Sequence, residues 1–160
     1  MIEGWLFGLT LVTALGCALS AGALFAFSAF VMRGLTRLPA AQGMAAMQSI
    51  NVTAVTPPFM TALFGPALAS VVLIVAAVVQ WGDTGAVHLL VGSVLYLVGV
   101  IGLTGLYHVP RNNALAAVEP GSADAANRWA RYVSEWTAWN HVRVAAGLAA
   151  TATLIMGLAA

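Results

Sequence analysis

The sequence predicts an all-α integral membrane protein: a single domain, residues 1–160, folded as a four-helix bundle with short interfacial helices in the first and third loops. Of the 160 residues, 61% are hydrophobic and only 7% are charged. A soluble domain carries about 25% charged residues. Four apolar stretches are also about 20 residues long or longer, which is enough to cross a bilayer core of roughly 30 Å. We therefore expect the lipid bilayer to surround most of the protein.

The four predicted spans are separated by a long first loop, a short second loop and a long third loop. They cover residues 4–32, 59–79, 86–107 and 140–159. Gly65-Pro66 predicts a kink in the second span, because proline removes a backbone hydrogen bond. Small residues such as Gly92 and Gly99 let membrane helices approach closely. The same small faces could pair with a second copy, so a homo-oligomer stays open.

The basic residues predict the orientation. All six are arginines, and they lie in the first loop, the third loop or the adjoining first turn of the fourth span: Arg33, Arg37, Arg111, Arg128, Arg131 and Arg143. The positive-inside rule then places both termini outside and loops one and three in the cytoplasm, with a bacterial inner membrane as the expected location. The net charge of +1 argues against a nucleic-acid partner. The single cysteine, Cys17, excludes an internal disulfide and a cysteine-built metal site.

Both long loops contain helical patterns. Met44, Met47 and Ile50 recur about every three residues, which predicts a short amphipathic helix at the membrane surface. In the third loop, Pro120-Gly121 indicates a turn. The residues that follow keep one helical face by alternating steps of three and four, and that helix is expected to run toward span four. The face consists of Trp129, Tyr132, Trp136, Asn140 and Arg143.

Two groups of polar residues flank the third loop, and they converge if spans three and four are neighbours. They are His108, Asn112 and Asn113 at the end of span three, and Asn140, His141 and Arg143 at the start of span four. Interfacial anchoring accounts for tryptophan and arginine at this depth. It does not account for asparagine, which needs a hydrogen-bond partner near lipid. These residues therefore predict a polar pocket.

Three classes of function fit these residues. The first is a metal, haem or quinone site on His108 and His141, although two histidines without a carboxylate or cysteine are a weak metal signature. The second is a non-enzymatic carrier or assembly subunit. The third is an enzyme with a membrane-edge pocket. A proton-coupled transporter is less favoured, because no acidic residue lies in the middle of a span.

Four segments resemble the anthrone oxygenase-like membrane proteins, a family long known only as a domain of unknown function. They are GALFAFSAFVMRGLTRLP at 22–39, AMQSIN at 46–51, VPRNNALAAV at 109–118 and WARYVSEWTAWNHVR at 129–143. The resemblance implies a four-helix membrane protein. For some members it also implies oxidation of a tricyclic anthrone to an anthraquinone with dioxygen.

The resemblance also implies a set of site residues for a small apolar aromatic substrate. The matched polar positions are Asn51, Asn112, Asn113, Trp136, Asn140, His141 and Arg143. His108 and Arg111 depart from the family pattern, which makes them poor candidates for a shared mechanism.

The hypothesis is that His141 acts as general base, that Arg143 or Asn140 stabilises the enolate oxygen, and that Trp136 and Phe27 wall the substrate. Such chemistry can proceed without a cofactor beyond dioxygen, and haem or a metal ion is the alternative. One difficulty is that side chains two residues apart on a helix diverge by about 160°. The base and the oxyanion partner then come from different helices, or this mechanism fails.

Overall fold

A computed structural model describes residues 2–160, which form five helices and no strand. The helices are α1 (Gly4–Leu35), α2 (Ala40–Thr53), α3 (Pro57–Val79), α4 (Ala86–Ala116) and α5 (Ala125–Ala159). All except α2 are long and apolar enough to cross a membrane. The predicted all-α fold with four membrane helices is confirmed.

The four long helices form a closed ring. Helix α1 packs along α5 and α3, and α4 packs along the same two helices from the other side. Tyr96, Leu73 and Leu154 are fully buried in the resulting core. Because α4 and α5 are neighbours, the end of span three and the start of span four come together as expected.

Helices α1 and α3 are joined at the proline in α3. Pro66 has no N–H, so the Ala62 carbonyl lacks its usual partner within the helix. The Ser20 hydroxyl donates to that carbonyl at 2.7 Å. Gly16 packs against the Pro66 ring, and an added Cβ would come within 3.3 Å of Pro66 Cβ. The missing side chain on α1 therefore lets the two helices meet at this point.

Helix α2 lies across the end of the bundle that carries the arginines, which we call the arginine-bearing end. Met44 and Met47 are buried there, on the face that their spacing predicted. Gly43 lies so close to α1 that an added Cβ would come within 2.6 Å of the Leu35 carbonyl oxygen. A second apolar core forms beneath α2, and it includes Trp129 and Leu115.

The third loop is shorter than the sequence suggests. Helix α4 continues to Ala116 and α5 already begins at Ala125, so the loop covers only residues 117–124. The predicted third-loop helix is therefore the first part of α5 and not a separate element. Its predicted face is buried along the whole length, from Trp129 at 4% exposure to Asn140 at 0% and Arg143 at 4%.

Helices α1 and α4 contain π-helical turns. These turns cover Phe27–Val31 in α1, and Leu97–Gly102 and Thr104–His108 in α4. A π turn inserts an extra residue and changes which side chains face inward, and such turns are frequent at functional sites. Phe27–Val31 and Thr104–His108 lie beside a group of polar residues at the arginine-bearing end.

Candidate functional site

A cavity of about 240 Å³ lies at the arginine-bearing end, and all five helices contribute to its wall. We call it the Arg143 cavity. Most of its wall is apolar, with Phe27, Phe59 and Met60 among the larger side chains. Six polar side chains also line it: Asn51, Thr104, His108, Asn112, Asn113 and Arg143. An apolar cavity with a few convergent polar groups is typical of small-molecule sites.

Most, but not all, of the site residues that the sequence predicted line this cavity. Phe27, Asn51, Asn112, Asn113, Trp136 and Arg143 line it. Asn140 and His141 do not. Asn140 is buried directly behind Arg143, whereas His141 is exposed and lines a different hollow, on another side of α5.

Arg143 is a buried cation without a carboxylate partner. It is 4% exposed. Its Nη1 donates to Thr104 Oγ1 at 3.1 Å, and its Nη2 donates to Asn140 Oδ1 at 2.7 Å. Its Nε is buried without a hydrogen-bond partner among the described residues. The two ion pairs within residues 2–160 join Arg111 to Glu135 and Arg128 to Asp124, so neither includes Arg143.

Asn140 is the residue that holds Arg143 in place. Its Nδ2 donates to the Leu24 carbonyl at 2.8 Å and to Ser28 Oγ at 2.6 Å, while its Oδ1 accepts from Arg143. Ser28 belongs to the π turn of α1. The amide therefore ties α1 to the guanidinium, and its polar atoms are already used within the protein.

Trp136 stands at the centre of an aromatic group beside Arg143. Its ring lies 5.7 Å from Phe27 and 5.2 Å from His108, centroid to centroid, and the contact with His108 is edge-on. The guanidinium carbon of Arg143 lies 5.2 Å from the centre of the Trp136 ring, within the distance of a cation–π contact. Phe27 and Trp136 together give the cavity an aromatic wall.

Asn112 has a fixed orientation. Its Oδ1 accepts from the Tyr132 hydroxyl at 2.9 Å and from Trp136 Nε1 at 3.1 Å. Two donors on one atom identify that atom as the amide oxygen. The Asn112 Nδ2 group is then left to donate elsewhere, and the cavity lies beside it. Asn112 thus adds a second donor next to Arg143.

Asn51 and Asn113 are less tightly held. The Asn51 Nδ2 atom is buried next to the Tyr132 hydroxyl and forms no well-formed hydrogen bond with the described residues. Asn113 is exposed at the rim of the cavity. The polar groups inside the cavity are therefore mainly donors: Arg143, Asn51 and Asn112.

His108 is the histidine of the cavity. It is 1% exposed, and its ring nitrogens lie 3.2 Å from the Leu103 carbonyl oxygen and 3.3 Å from the Trp136 carbonyl oxygen. A neutral imidazole has one N–H, so only one of these contacts can be a hydrogen bond. The other nitrogen keeps a lone pair but lies against a carbonyl oxygen, so the ring must turn before that nitrogen can take a proton from a ligand. Sequence reasoning had set this residue aside as a departure from the family pattern.

Sequence reasoning also missed Thr104 and Tyr132 as members of the site. Tyr132 had a usable signal, because it lies on the helical face that runs from Trp129 to Arg143. Thr104 had none. Its hydroxyl donates to the Val100 carbonyl at 2.7 Å, as threonines in membrane helices commonly do, and only the packing of α4 against α5 brings it to Arg143.

The histidines do not form a shared metal or haem site. His108 lines the Arg143 cavity and His141 lines another hollow. Within residues 2–160, no three side chains of His, Cys, Asp or Glu gather as metal ligands would. Apart from His108 and Thr104, the polar side chains of the cavity are amides and a guanidinium, which suit an oxygen-bearing organic ligand better than a metal ion.

Comparisons with known proteins agree with the resemblance in the sequence. The family model described as anthrone oxygenase matches residues 59–153, which is more than half of the chain. The matched region includes α3, α4 and most of α5, and with them His108, Asn112, Trp136 and Arg143. No curated protein and no solved structure matches the chain. The chain therefore belongs to the anthrone oxygenase family.

Proposed function

We propose that this protein is a membrane-embedded oxygenase that uses dioxygen to oxidise a planar aromatic ketone of the anthrone type, bound in the Arg143 cavity. The observation that carries the proposal is the buried guanidinium of Arg143, which faces an apolar cavity and has no carboxylate partner within residues 2–160. Family membership supports an oxygenase-like protein in general terms.

A negatively charged partner would stabilise the isolated, buried cation of Arg143. Burial of an unpaired charge costs several kcal/mol even after the protein relaxes. Thr104 and Asn140 satisfy Nη1 and Nη2, but they are neutral, and Nε has no partner among the described residues. A ligand oxygen that becomes negative during a reaction would offset this cost. Arg143 would then bind the transition state more strongly than the neutral ketone, which is the requirement for catalysis.

The cavity walls fit a small, flat, apolar ligand. The cavity volume of about 240 Å³ lies slightly below the usual range for drug-sized ligands, roughly 300–1,000 Å³. Phe27 and Trp136 offer aromatic faces, and Phe59 and Met60 extend the apolar wall. The donors Arg143 and Asn112 would fix the carbonyl end of such a ligand while its rings lie against these side chains.

His108 is the base that this geometry favours. An anthrone has an acidic methylene group between its aromatic rings, and loss of one proton gives a delocalised enolate. His108 lines the same cavity as Arg143, and one of its ring nitrogens keeps a lone pair. His141, the base expected from the sequence, is exposed in a different hollow. The base and the oxyanion partner would thus come from α4 and α5.

The reaction balances with dioxygen as the oxidant. His108 takes a methylene proton, and Arg143 stabilises the enolate oxygen. The enolate passes an electron to dioxygen, the carbon–oxygen bond forms at the former methylene carbon, and the protonated His108 returns its proton to the peroxide oxygen to give a hydroperoxide. Loss of the second hydrogen of that carbon as a proton, with cleavage of the O–O bond, yields a new carbonyl and one water. Anthrone plus dioxygen thus gives anthraquinone plus water.

The test is oxidation of anthrone by the purified protein in mild detergent, with dioxygen uptake and anthraquinone absorbance as readouts. The wild type is expected to accelerate both well above the uncatalysed rate. Arg143→Gln is expected to lose about a hundredfold or more in rate, as enzymes do when an oxyanion partner is removed. Arg37→Gln, an exposed arginine outside the cavity, is the matched control and should keep full activity.

Two results would contradict the proposal. An Arg143→Gln variant that folds and oxidises anthrone at the wild-type rate would remove Arg143 from the chemistry. Saturable anthrone binding by the wild type without any dioxygen uptake would instead indicate a carrier.

A further inference from the structure

A second hollow, of about 380 Å³, lies between the end of α1 and the first half of α5. We call it the His141 groove. His141 and Arg33 line it, together with the hydroxyl residues Thr36, Ser134 and Thr137. The groove shares no lining residue with the Arg143 cavity. Ser28 lines the groove and accepts a hydrogen bond from Asn140.

The groove has positive charge and no compensating acid. No Asp or Glu lines it. The side chains of Arg33 and His141 take part in no hydrogen bond or ion pair with the described part of the chain, whose two ion pairs lie elsewhere. Arginine forms strong, paired hydrogen bonds with phosphate and carboxylate oxygens, so an anion is the natural occupant.

Thr137 supplies an independent indication of a ligand. Its Oγ1 atom is buried, and it has no hydrogen-bond partner within residues 2–160. A buried hydroxyl without a partner destabilises a fold, because it has lost its hydrogen bonds to water. An oxygen atom of a ligand in the groove would accept this hydrogen bond and remove that cost.

The groove lies where the apolar surface of the bundle ends. Phe30, three residues before Arg33, is 65% exposed, and Val142, next to His141, is 45% exposed. We expect such large exposed apolar side chains to face lipid tails, which would place Arg33 and the hydroxyl groups at headgroup level. Met32, Val133 and Ala138 add an apolar wall to the groove itself.

We propose that the His141 groove binds a phosphate oxyanion at the membrane surface, with Arg33 as the cationic partner, His141 as an imidazole N–H donor and Thr137 as a hydroxyl donor. The phosphate belongs either to a phospholipid headgroup or to free phosphate in the adjoining aqueous phase. This proposal is independent of the oxidation proposed for the Arg143 cavity, because it uses none of the residues assigned to that chemistry.

The experiment is native mass spectrometry of the purified protein in mild detergent, titrated with three probes: dioleoylphosphatidylglycerol, dioleoylglycerol, which has the same tails but no phosphate, and inorganic phosphate. Thermal unfolding is measured with each probe. The variants are Arg33→Gln, Thr137→Val and the control Arg37→Gln, which removes a nearby exposed arginine that does not line the groove.

We expect saturable binding of one of the two phosphate probes. Arg33→Gln should weaken it about fivefold, the contribution of one arginine near an anionic headgroup, and Arg37→Gln should not. Thr137→Val should also weaken binding while leaving the ligand-free protein as stable as the wild type or more so, since valine removes a partnerless hydroxyl. A purely structural role for Thr137 would not give this opposite pair of effects.

The probes identify the source of the phosphate. Binding of phosphatidylglycerol alone indicates a headgroup, and stabilisation by inorganic phosphate that depends on Arg33 indicates free phosphate. Equal binding of dioleoylglycerol and phosphatidylglycerol would overturn the proposal, because the tails alone would then account for the affinity. Equal weakening by Arg37→Gln and Arg33→Gln would overturn it too, as would the absence of binding by both phosphate probes.

Discussion

Asn140 accepts a hydrogen bond from Arg143 at 2.7 Å, across one turn of α5, and both side chains are buried. The same amide donates to Leu24 and Ser28 on α1. A buried guanidinium is thus aimed at a cavity by an amide whose own polar atoms are fully used. This division of roles separates a residue that holds the site together from one that faces the ligand.

Replacement of Asn140 by leucine is expected to destabilise the protein by about 3 kcal/mol. The change removes three hydrogen bonds and leaves the Leu24 carbonyl, Ser28 and the guanidinium with fewer partners in a buried site. Reversible unfolding in detergent–SDS mixtures measures the effect. Asn113→Leu is the control, because Asn113 is exposed, and it should change stability by less than about 0.5 kcal/mol. Equal effects of the two changes would contradict the role given to Asn140.

Thr104→Val is expected to lower the rate of anthrone oxidation about tenfold without unfolding the protein. Arg143 Nη1 loses its acceptor, and a hydrogen bond to a charged group contributes about 1.5–3 kcal/mol. Thr153→Val is a matched control: both hydroxyls donate to a carbonyl four residues earlier on their helix, but no hydrogen bond from another side chain reaches Thr153. Steady-state kinetics of both variants provide the measurement. An unchanged kcat in Thr104→Val would indicate that Thr104 does not position Arg143.

The two candidate bases give opposite predictions. If His108 is the base, His108→Gln should reduce kcat by about a hundredfold or more, within the range typical of general base catalysis. His141→Gln should then keep the wild-type rate, because His141 lies outside the cavity. Single-turnover oxidation of anthrone, followed by absorbance, compares them directly. A large loss in His141→Gln with none in His108→Gln would restore the assignment made from the sequence.

Tyr132→Phe is expected to weaken the hold on Asn112 while leaving the fold intact. The change removes the donor at 2.9 Å from Asn112 Oδ1, but Trp136 Nε1 remains at 3.1 Å. The loss of one hydrogen bond should lower the stability by about 1 kcal/mol. The double variant with Asn112→Ala should show less than additive loss, since the two residues act through one contact. Additive losses in unfolding experiments would mean that the contact contributes nothing.

The orientation remains a prediction, and cysteine labelling can decide it. Cys17 is the single cysteine of the sequence, so a Cys17→Ser background leaves no native thiol. A cysteine at Asp83, in the second loop, should react with a membrane-impermeant reagent in intact cells, and a cysteine at Glu119, in the third loop, should react only after lysis. The reverse pattern would place the arginine-bearing end outside.

The sequence by itself determined that lipid surrounds most of the protein and that the chain has four membrane spans. With 7% charged residues and four long apolar stretches, the chain cannot cover itself with polar surface in water, and the membrane fixes helices as the spanning elements. The buried face from Trp129 to Arg143 also followed from spacing alone, because residues three and four positions apart lie on the same side of a helix. Two of the predicted site residues that line the Arg143 cavity, Trp136 and Arg143, lie on this face.

Only the tertiary structure separated Asn140 and His141 from the cavity and brought His108 into it. Neighbouring residues on a helix point about 100° apart, so Asn140 and His141 could not both face the same partner helices. Spacing placed Asn140 on the buried face, but only the packing of α1 against α5 decided that its amide bonds Leu24 and Ser28 and does not line the cavity. The π turns at Phe27–Val31 and Thr104–His108 change that register locally, and they have no signature in composition or spacing. The position of each polar atom in this site is therefore a property of the packed helices, not of the sequence pattern.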